Sequence, residues 1–493
     1  MATSVVATWP TAFRIIILLN VGLYNFIGNV YNAGVPPLFA LLIQDFHIST
    51  DDASKLVTYV LLAFGLSNIF ALPAIALIGK RFTILTSLVL FLAACIWSGE
   101  ATSYNSLLAS RIVGGLCGGL IEALGPGIVL DVFPEHQLAR AMVVYVGLLA
   151  AGSSVGPIIA GAVAEHLQSW RWFHRIVSII TGVILLSSIL MLPETTAPTR
   201  KPTETPQTET GVDGSDASEK RASREVENIL HENDGGPHVE DKRTFFEQWM
   251  AKSFSPAPIK LDWKLALRCL YQPYELIVLP QVLATTLLFG LTIGWTVLVS
   301  VIVAPIYSAP PLLWTPLKVG FLNFGPLTGL IIGIPLGGAL ADMLYNRAVR
   351  RTAGTPDPRV RLPATLIGAI ASPVGCLVLG FSLRHPADWA PVTVGWALLS
   401  LGLTSSANIM LTYAVDTLPS RASHIGMLVN LSKNCLAFGV SYTSVSWMET
   451  MGSVGQFGTM AGLLWFAYLL IIPVWIWSPR IVSMSIKLFE GRV

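Results

Sequence analysis

The sequence predicts an all-α membrane protein of twelve transmembrane helices in two pseudo-symmetric six-helix halves. Three observations predict it. Only 12% of the residues are charged against 53% hydrophobic, whereas soluble domains run at about 25% charged. Apolar windows of about twenty residues, long enough to cross roughly 30 Å of hydrocarbon, recur twelve times. One long polar stretch, residues 196–262, separates six windows from six, giving an N-terminal half over 1–195 and a C-terminal half over 263–493.

The first window, 13–42, has no basic segment before it and is too long for a secretory signal, so it should remain as an anchor. Asn25, Asn29 and Asn32 recur on it at i, i+4 and i+7, a polar stripe that cannot face lipid cheaply. The second and third windows, 55–78 and 82–102, flank Gly79-Lys80-Arg81. The fourth, 106–132, carries Arg111, Glu122 and Asp131 in an otherwise apolar run. At 3.6 residues per turn Arg111 and Glu122 lie three turns apart on one face. A charge near the bilayer centre costs about 2.5–3.5 kcal/mol on insertion scales, so it belongs in a cavity or beside a partner. Glu122, near mid-span, is therefore the first functional candidate, with Arg111 more structural.

The fifth window, 139–165, has Gly152, Gly156 and Ala160 at i+4 spacing, and the sixth covers 172–193. Residues 199–243 then hold eleven acids and seven Lys or Arg. This composition reads as a disordered cytosolic linker, with a short amphipathic helix near Thr244 to Phe254. The seventh window, 275–304, offers Trp295 to a cavity. The eighth, 316–344, places Gly325, Gly329, Gly333 and Gly337 in one stripe. Small residues in a stripe let backbones approach closely, and such a seam between the fifth and eighth helices would let two halves rock. The ninth and tenth windows are 362–384 and 389–416, the tenth adding Asn408 and Tyr413. The eleventh, 422–447, carries Lys433 and Asn434, and the twelfth is 455–478. Lys433 is the natural counter-charge for Glu122 or for a substrate.

Basic residues in short loops set orientation. Lys80, Arg81, Arg140, Arg347, Arg350, Arg351, Arg359, Arg361 and Arg421 fall on one side, against Lys55, Arg171, Arg175 and Arg384 on the other. The richer side is expected to be cytosolic, with both termini and the linker. The fourth helix ends in Asp131-Val132-Phe133-Pro134 and the tenth in Asp416-Thr417-Leu418-Pro419, followed by Arg140 and Arg421. That recurrence suggests duplication, and parallel six-helix repeats fit the major facilitator architecture.

Other chemistries find no support. The net charge of +2 implies no nucleic-acid partner, and eight scattered histidines give no metal or catalytic spacing for a membrane enzyme. Five cysteines share no ligand spacing and read as buried hydrophobes. The one N-x-S/T match, Asn430-Leu431-Ser432, lies inside a span, so no N-glycan is expected.

The chain resembles fungal members of the major facilitator superfamily, in the twelve-spanner drug:proton antiporter group that includes polyamine carriers. Trp9-Pro10, Gly79-Lys80-Arg81, Arg111 with Gly115, Glu122-Ala123-Leu124 and Asp131 carry the resemblance in the first helices. Gly152, Gly156, Pro157 and Gly161 look like the antiporter motif of the fifth helix; Trp170-Arg171-Trp172 and Pro193-Glu194-Thr195 bound the sixth. Gly338, Asp342, Arg347, the stretch Asp357 to Pro363 and Thr412 to Asp416 extend it through the second half. The chain departs from the pattern where no aspartate precedes Gly79-Lys80-Arg81, and where Lys433 stands in place of the commoner arginine.

The resemblance implies a proton-coupled exporter of a small organic compound such as a drug, toxin or secondary metabolite. It would work by alternating access as a monomer, powered by the proton gradient without a cofactor or metal, in the plasma membrane. Glu122 would be the protonatable group. Asp342 with Arg347, Asp131 with Arg140 and Asp416 with Arg421, beside Lys80 and Arg81, would form cytosolic charge latches. Proton-coupled uptake of an amine or nutrient is the alternative. A non-transporting sensor, with the linker as output surface and Ser223 as phosphosite, is another.

Overall fold

The computed structural model describes residues 9–195, 263–352, 358–418 and 421–489. The expected linker and its amphipathic helix lie outside the described residues, as do Asp357, Pro419 and the side chain of Asp342.

Among the described residues every regular element is a helix. In the first half α1 (Thr11–Ala33) ends where Gly34, Pro36 and Pro37 stop the backbone ladder; a 3-10 turn and α2 (Phe39–Phe46) follow. α3 (Thr50–Ile78) is capped by Ser49 Oγ, which accepts from Asp52 N at 3.1 Å, with Asp51 and Asp52 in its first turn. α4 (Lys80–Gly99), α5 (Tyr104–Gly118), α6 (Leu120–Val132), α7 (Glu135–Leu167) and α8 (Arg171–Met191) complete it. The expected continuous fourth helix is thus interrupted at Gly119, which sets Glu122 in the first turn of α6.

The second half opens with α9 (Trp263–Glu275), which the hydropathy pattern did not announce because only part of its surface is apolar. α10 (Pro280–Ser308), α11 (Pro316–Phe321) and α12 (Phe324–Thr352) follow. Next come α13 (Leu366–Ser382), and α14 (Trp389–Gly402) joined through a π-helical turn at Leu403–Ala407 to α15 (Asn408–Thr417). The chain continues with α16 (Ala422–Tyr442), α17 (Ser444–Leu469), α18 (Ile471–Ile476) and α19 (Ser478–Phe489).

Eleven helical stretches among the described residues are long and apolar enough to span a bilayer. The remaining expected span, the eleventh, is α16, which lies in the bundle against α3 and α10 but is too polar to qualify, since it holds His424, Asn430, Lys433 and Asn434.

The glycine seam differs from expectation. A Cβ at Gly325 or Gly337 would meet Thr393 O or Ser405 Cα at 2.5 Å, and Gly329 and Gly333 press on Ala397 and Thr404. That stripe packs α12 on α14 and its π turn, inside one half. Gly152 and Gly156 likewise face Phe26 and Val30 of α1. The halves meet instead at Gly161 against Pro316 O, and at Gly320, whose Cβ would lie 2.8 Å from Pro157 O. Leu317 N–H also donates to Glu165 Oε2 at 3.1 Å. This seam lies at the end of the bundle opposite Lys80 and Arg81. Spacing identified both glycine stripes but could not say which neighbour each would meet.

Candidate functional site

The two halves also meet across α6 and α16. Lys433 Nζ lies 3.2 Å from Glu122 Oε2, with side-chain exposures of 6% and 4%. Asn434 Nδ2 donates to the same Oε2 at 3.2 Å, and Asn430 Nδ2 donates to the Glu122 main-chain oxygen at 3.3 Å. Lys433 also stands 5.6 Å from the Phe289 ring centroid on α10, a cation–π contact. Two charges buried in a bundle need such a mutual arrangement, because each alone would carry an uncompensated desolvation penalty of several kcal/mol. Local sequence makes the contact feasible: Gly65 on α3 lets Leu431, Asn434 and Cys435 approach its backbone closely.

A polar chain leads away from the pair. Asn29 Nδ2 donates to Asn25 Oδ1 at 3.1 Å, Asn25 Nδ2 donates to Tyr145 Oη at 2.6 Å, and Tyr145 donates to Ile121 O at 3.0 Å, one residue from Glu122. Gly125 leaves room for the Tyr145 ring. Asn25 and Asn29 of the predicted stripe therefore join the Glu122 region through Tyr145, and Asn32 does not. Sequence reasoning missed Tyr145, Asn430 and Phe289. Tyr145 was a lone phenol in an apolar window, and Asn430 could have been found as the i, i+4 partner of Asn434.

Arg111 is held elsewhere. Its guanidinium is fully buried and donates to the carbonyls of Leu56, Tyr31 and Asn32 at 2.9, 2.8 and 3.1 Å, 4.5 Å from the Tyr31 ring centroid. These bonds satisfy main-chain oxygens near the end of α1 and on α3. Asn32 Oδ1 is left with no hydrogen-bond partner and, with Trp396, Asn323 and Ser154, borders a cavity of about 50 Å³ between the halves. Trp295 is buried beside Trp447, with ring centroids 6.2 Å apart. Asn408 donates back to Thr404 O in the π-helical turn before its helix at 3.1 Å, and Tyr413 hydrogen-bonds Ser478 at 2.9 Å, so neither joins the Glu122 cluster.

The latch partners also differ from expectation. Asp131 pairs with Lys80 at 2.6 Å, not with Arg140, which is exposed. Asp416 pairs with Arg361 rather than Arg421. Arg81 donates to Leu192 O and Ile189 O at 2.8 and 2.9 Å, fastening α4 to the end of α8, and Arg347 is exposed. Both charge pairs lie inside their own halves. Chain proximity favoured the nearby arginines, but a side chain brought up by another helix end reaches each aspartate first. Among the described residues no three His, Cys, Asp or Glu side chains gather as a metal site.

The chain matches the profile of the Major Facilitator Superfamily over residues 21–442. The probable efflux pump mfs2 of Aspergillus flavus is 25% identical over 442 residues, covering 87% of this chain and 96% of that one. The MFS-type transporter penM of Penicillium rubens is 24% identical over 496 residues, covering 96% and 86%. The xylose transporter XylE from E. coli, in a partially occluded inward-open conformation, shares the fold with a TM-score of 0.60 at 15% identity. That likeness covers 94% of this chain and 99% of XylE.

Proposed function

This chain belongs to the Major Facilitator Superfamily and is a multi-pass membrane transporter, not an enzyme, and we propose that it exports a small organic compound in exchange for protons. The observation that carries this reading is the Glu122–Lys433 pair, buried where the two halves meet. Ionised, Glu122 holds Lys433 and ties α6 to α16. A proton on Glu122 cancels that attraction, releases Lys433 or a cationic substrate that has taken its place on the carboxylate, and loosens one tie between the halves. Proton binding and substrate binding then compete for one set of groups, which is what exchange requires. Export draws support from the similarity to a protein named a probable efflux pump; drugs, toxins and secondary metabolites are the proposed cargo class. The proposed setting is the plasma membrane, with the end that bears Lys80, Arg81 and Arg361 facing the cytosol, and the proposed working unit is a monomer driven by the proton gradient alone.

The test is transport in sealed vesicles under an imposed pH gradient, with labelled amines, drugs and metabolites, comparing the parent with Glu122→Gln. Gradient-driven movement in the parent that disappears in Glu122→Gln is the expected result. Movement that persists in the variant would rule out this carboxyl as the proton site. Accumulation in the opposite sense would replace export with uptake.

A further inference from the structure

We propose that α9 is a membrane-surface helix that seats this transporter on an anionic lipid leaflet. At 3.6 residues per turn its thirteen residues divide into three faces. Leu265, Ala266, Cys269, Gln272 and Pro273 are buried, and the helix packs against α3 and α16. Trp263, Leu267, Tyr271 and Tyr274 form a second face and are all exposed, Trp263 at 61%. That face continues into the exposed Val278 and Leu283 at the foot of α10. Lys264, Arg268 and Glu275 fall together on the third.

A helix wet on every exposed side would not place one indole, two phenols and a leucine in a single stripe. Trp and Tyr concentrate where hydrocarbon meets headgroups, and a helix lying in that layer keeps its charged strip toward water. The polarity of α9 matches this: protein, lipid and water each receive one face. The basic residues set the kind of lipid. Arg268 on α9 is joined at this end of the bundle by Arg480 and Lys487 on α19, which Ser485 Oγ fastens to Gln281 at the start of α10 with a 2.8 Å hydrogen bond. α19 likewise exposes Met484, Ile486 and Leu488. Cations near a bilayer surface attract acidic headgroups. Because α9 leads into the second half yet rests on α3 of the first, the lipid it grips bears on both.

The test uses the full chain in vesicles, with bimane on Tyr271→Cys and the protein without that substitution labelled in parallel. The native Cys269 on the same helix is buried and its thiol is pushed up to about 11 by that burial, so it reacts slowly at neutral pH. Phosphatidylcholine brominated near the headgroup end of its acyl chains is expected to quench the label roughly twofold, as for a ring seated about 5–10 Å into the boundary, and aqueous iodide is expected to do little. Strong iodide quenching with none from the lipid overturns the proposal. Brominated phosphatidylserine should quench about threefold more effectively than brominated phosphatidylcholine at equal mole fraction. That preference should fall to parity in Arg268→Gln/Arg480→Gln/Lys487→Gln and persist in Arg384→Gln, at the opposite end. No preference in the parent, or one that survives the triple change, overturns it.

Discussion

Removing Lys433 while keeping Glu122 is the sharpest probe of the central pair. At 3.2 Å and an effective dielectric constant of about 20, two unit charges attract by about 5 kcal/mol. Much of that attraction offsets the desolvation of both groups, so the pair adds little net stability. Breaking it is another matter. Lys433→Met leaves the Glu122 carboxylate, 4% exposed, facing Asn434, and an orphaned member of a buried pair costs about 3–5 kcal/mol. The surviving hydrogen bond from Asn434 puts the expected loss at the lower end, about 3 kcal/mol. Glu122→Gln strands the ammonium and should cost about the same, with the Phe289 face as its remaining support. The double variant Glu122→Gln/Lys433→Met strands no charge and should cost only about 1–2 kcal/mol, well below the sum of the singles. At roughly 2 °C per kcal/mol, each single change should lower the melting temperature of the purified protein by about 6 °C, and the double by about 2–4 °C. A double variant whose loss equals the sum of the singles would refute the coupling, and with it the claim that protonating Glu122 releases anything.

Four further substitutions test the frame around the pair. Arg111→Lys should abolish folded, monodisperse protein on size exclusion, because one ammonium cannot reproduce a planar fork that serves three carbonyls; near-parental yield would refute the structural role. Gly161→Ala should drive a methyl into the Pro316 carbonyl, cost about 1–3 kcal/mol by overpacking and speed reaction of Asn323→Cys with a water-soluble thiol reagent. Gly338→Ala, with nothing within 4 Å of its new methyl, should change neither quantity. Asp416→Asn should cost no more than about 1 kcal/mol, since its pair with Arg361 is partly exposed, and molar salt should erase the difference from the parent.

Most of the helical frame was legible in the sequence because a lipid-crossing segment must be apolar for about twenty residues, a requirement that leaves its mark on composition alone. The same physics explains the weakest segment. α16 falls short of the apolar threshold because it carries Lys433, Asn434 and Asn430 to the interface, so the helix least like a membrane span brings the most charge and polarity to the site. The interruption at Gly119 was not legible, because glycine is common in spans and spacing does not say which one yields. Nor was α9, whose apolar and polar faces average out in a hydropathy window. Lys433 was legible as the counter-charge of Glu122, but pairing at the helix ends was the least legible feature. Asp131 and Lys80 are 51 residues apart, and only the packing of α4 beside α6 chooses Lys80 over the nearer Arg140.

The distribution of ties has a consequence for how two halves could move. Lys80–Asp131, the bonds from Arg81 to the end of α8, and Arg361–Asp416 each fasten one half to itself. Between the halves, the seam at Gly161, Pro316, Pro157 and Gly320 is backbone against backbone, with one polar tie from Leu317 N–H to Glu165. Such a seam can part with few side chains to repack, and water can take over the one amide it exposes. Glu122 and Lys433 cannot part so cheaply, because separation leaves two charges in a low-dielectric interior unless a proton neutralises the carboxylate or a ligand replaces the lysine. In the proposed cycle the seam therefore sets how readily the halves move, and the pair sets which ions or molecules permit the movement. A change at Gly161 should alter the rate of exchange while leaving its dependence on the pH gradient intact. A change at Glu122 should abolish the response to the pH gradient itself.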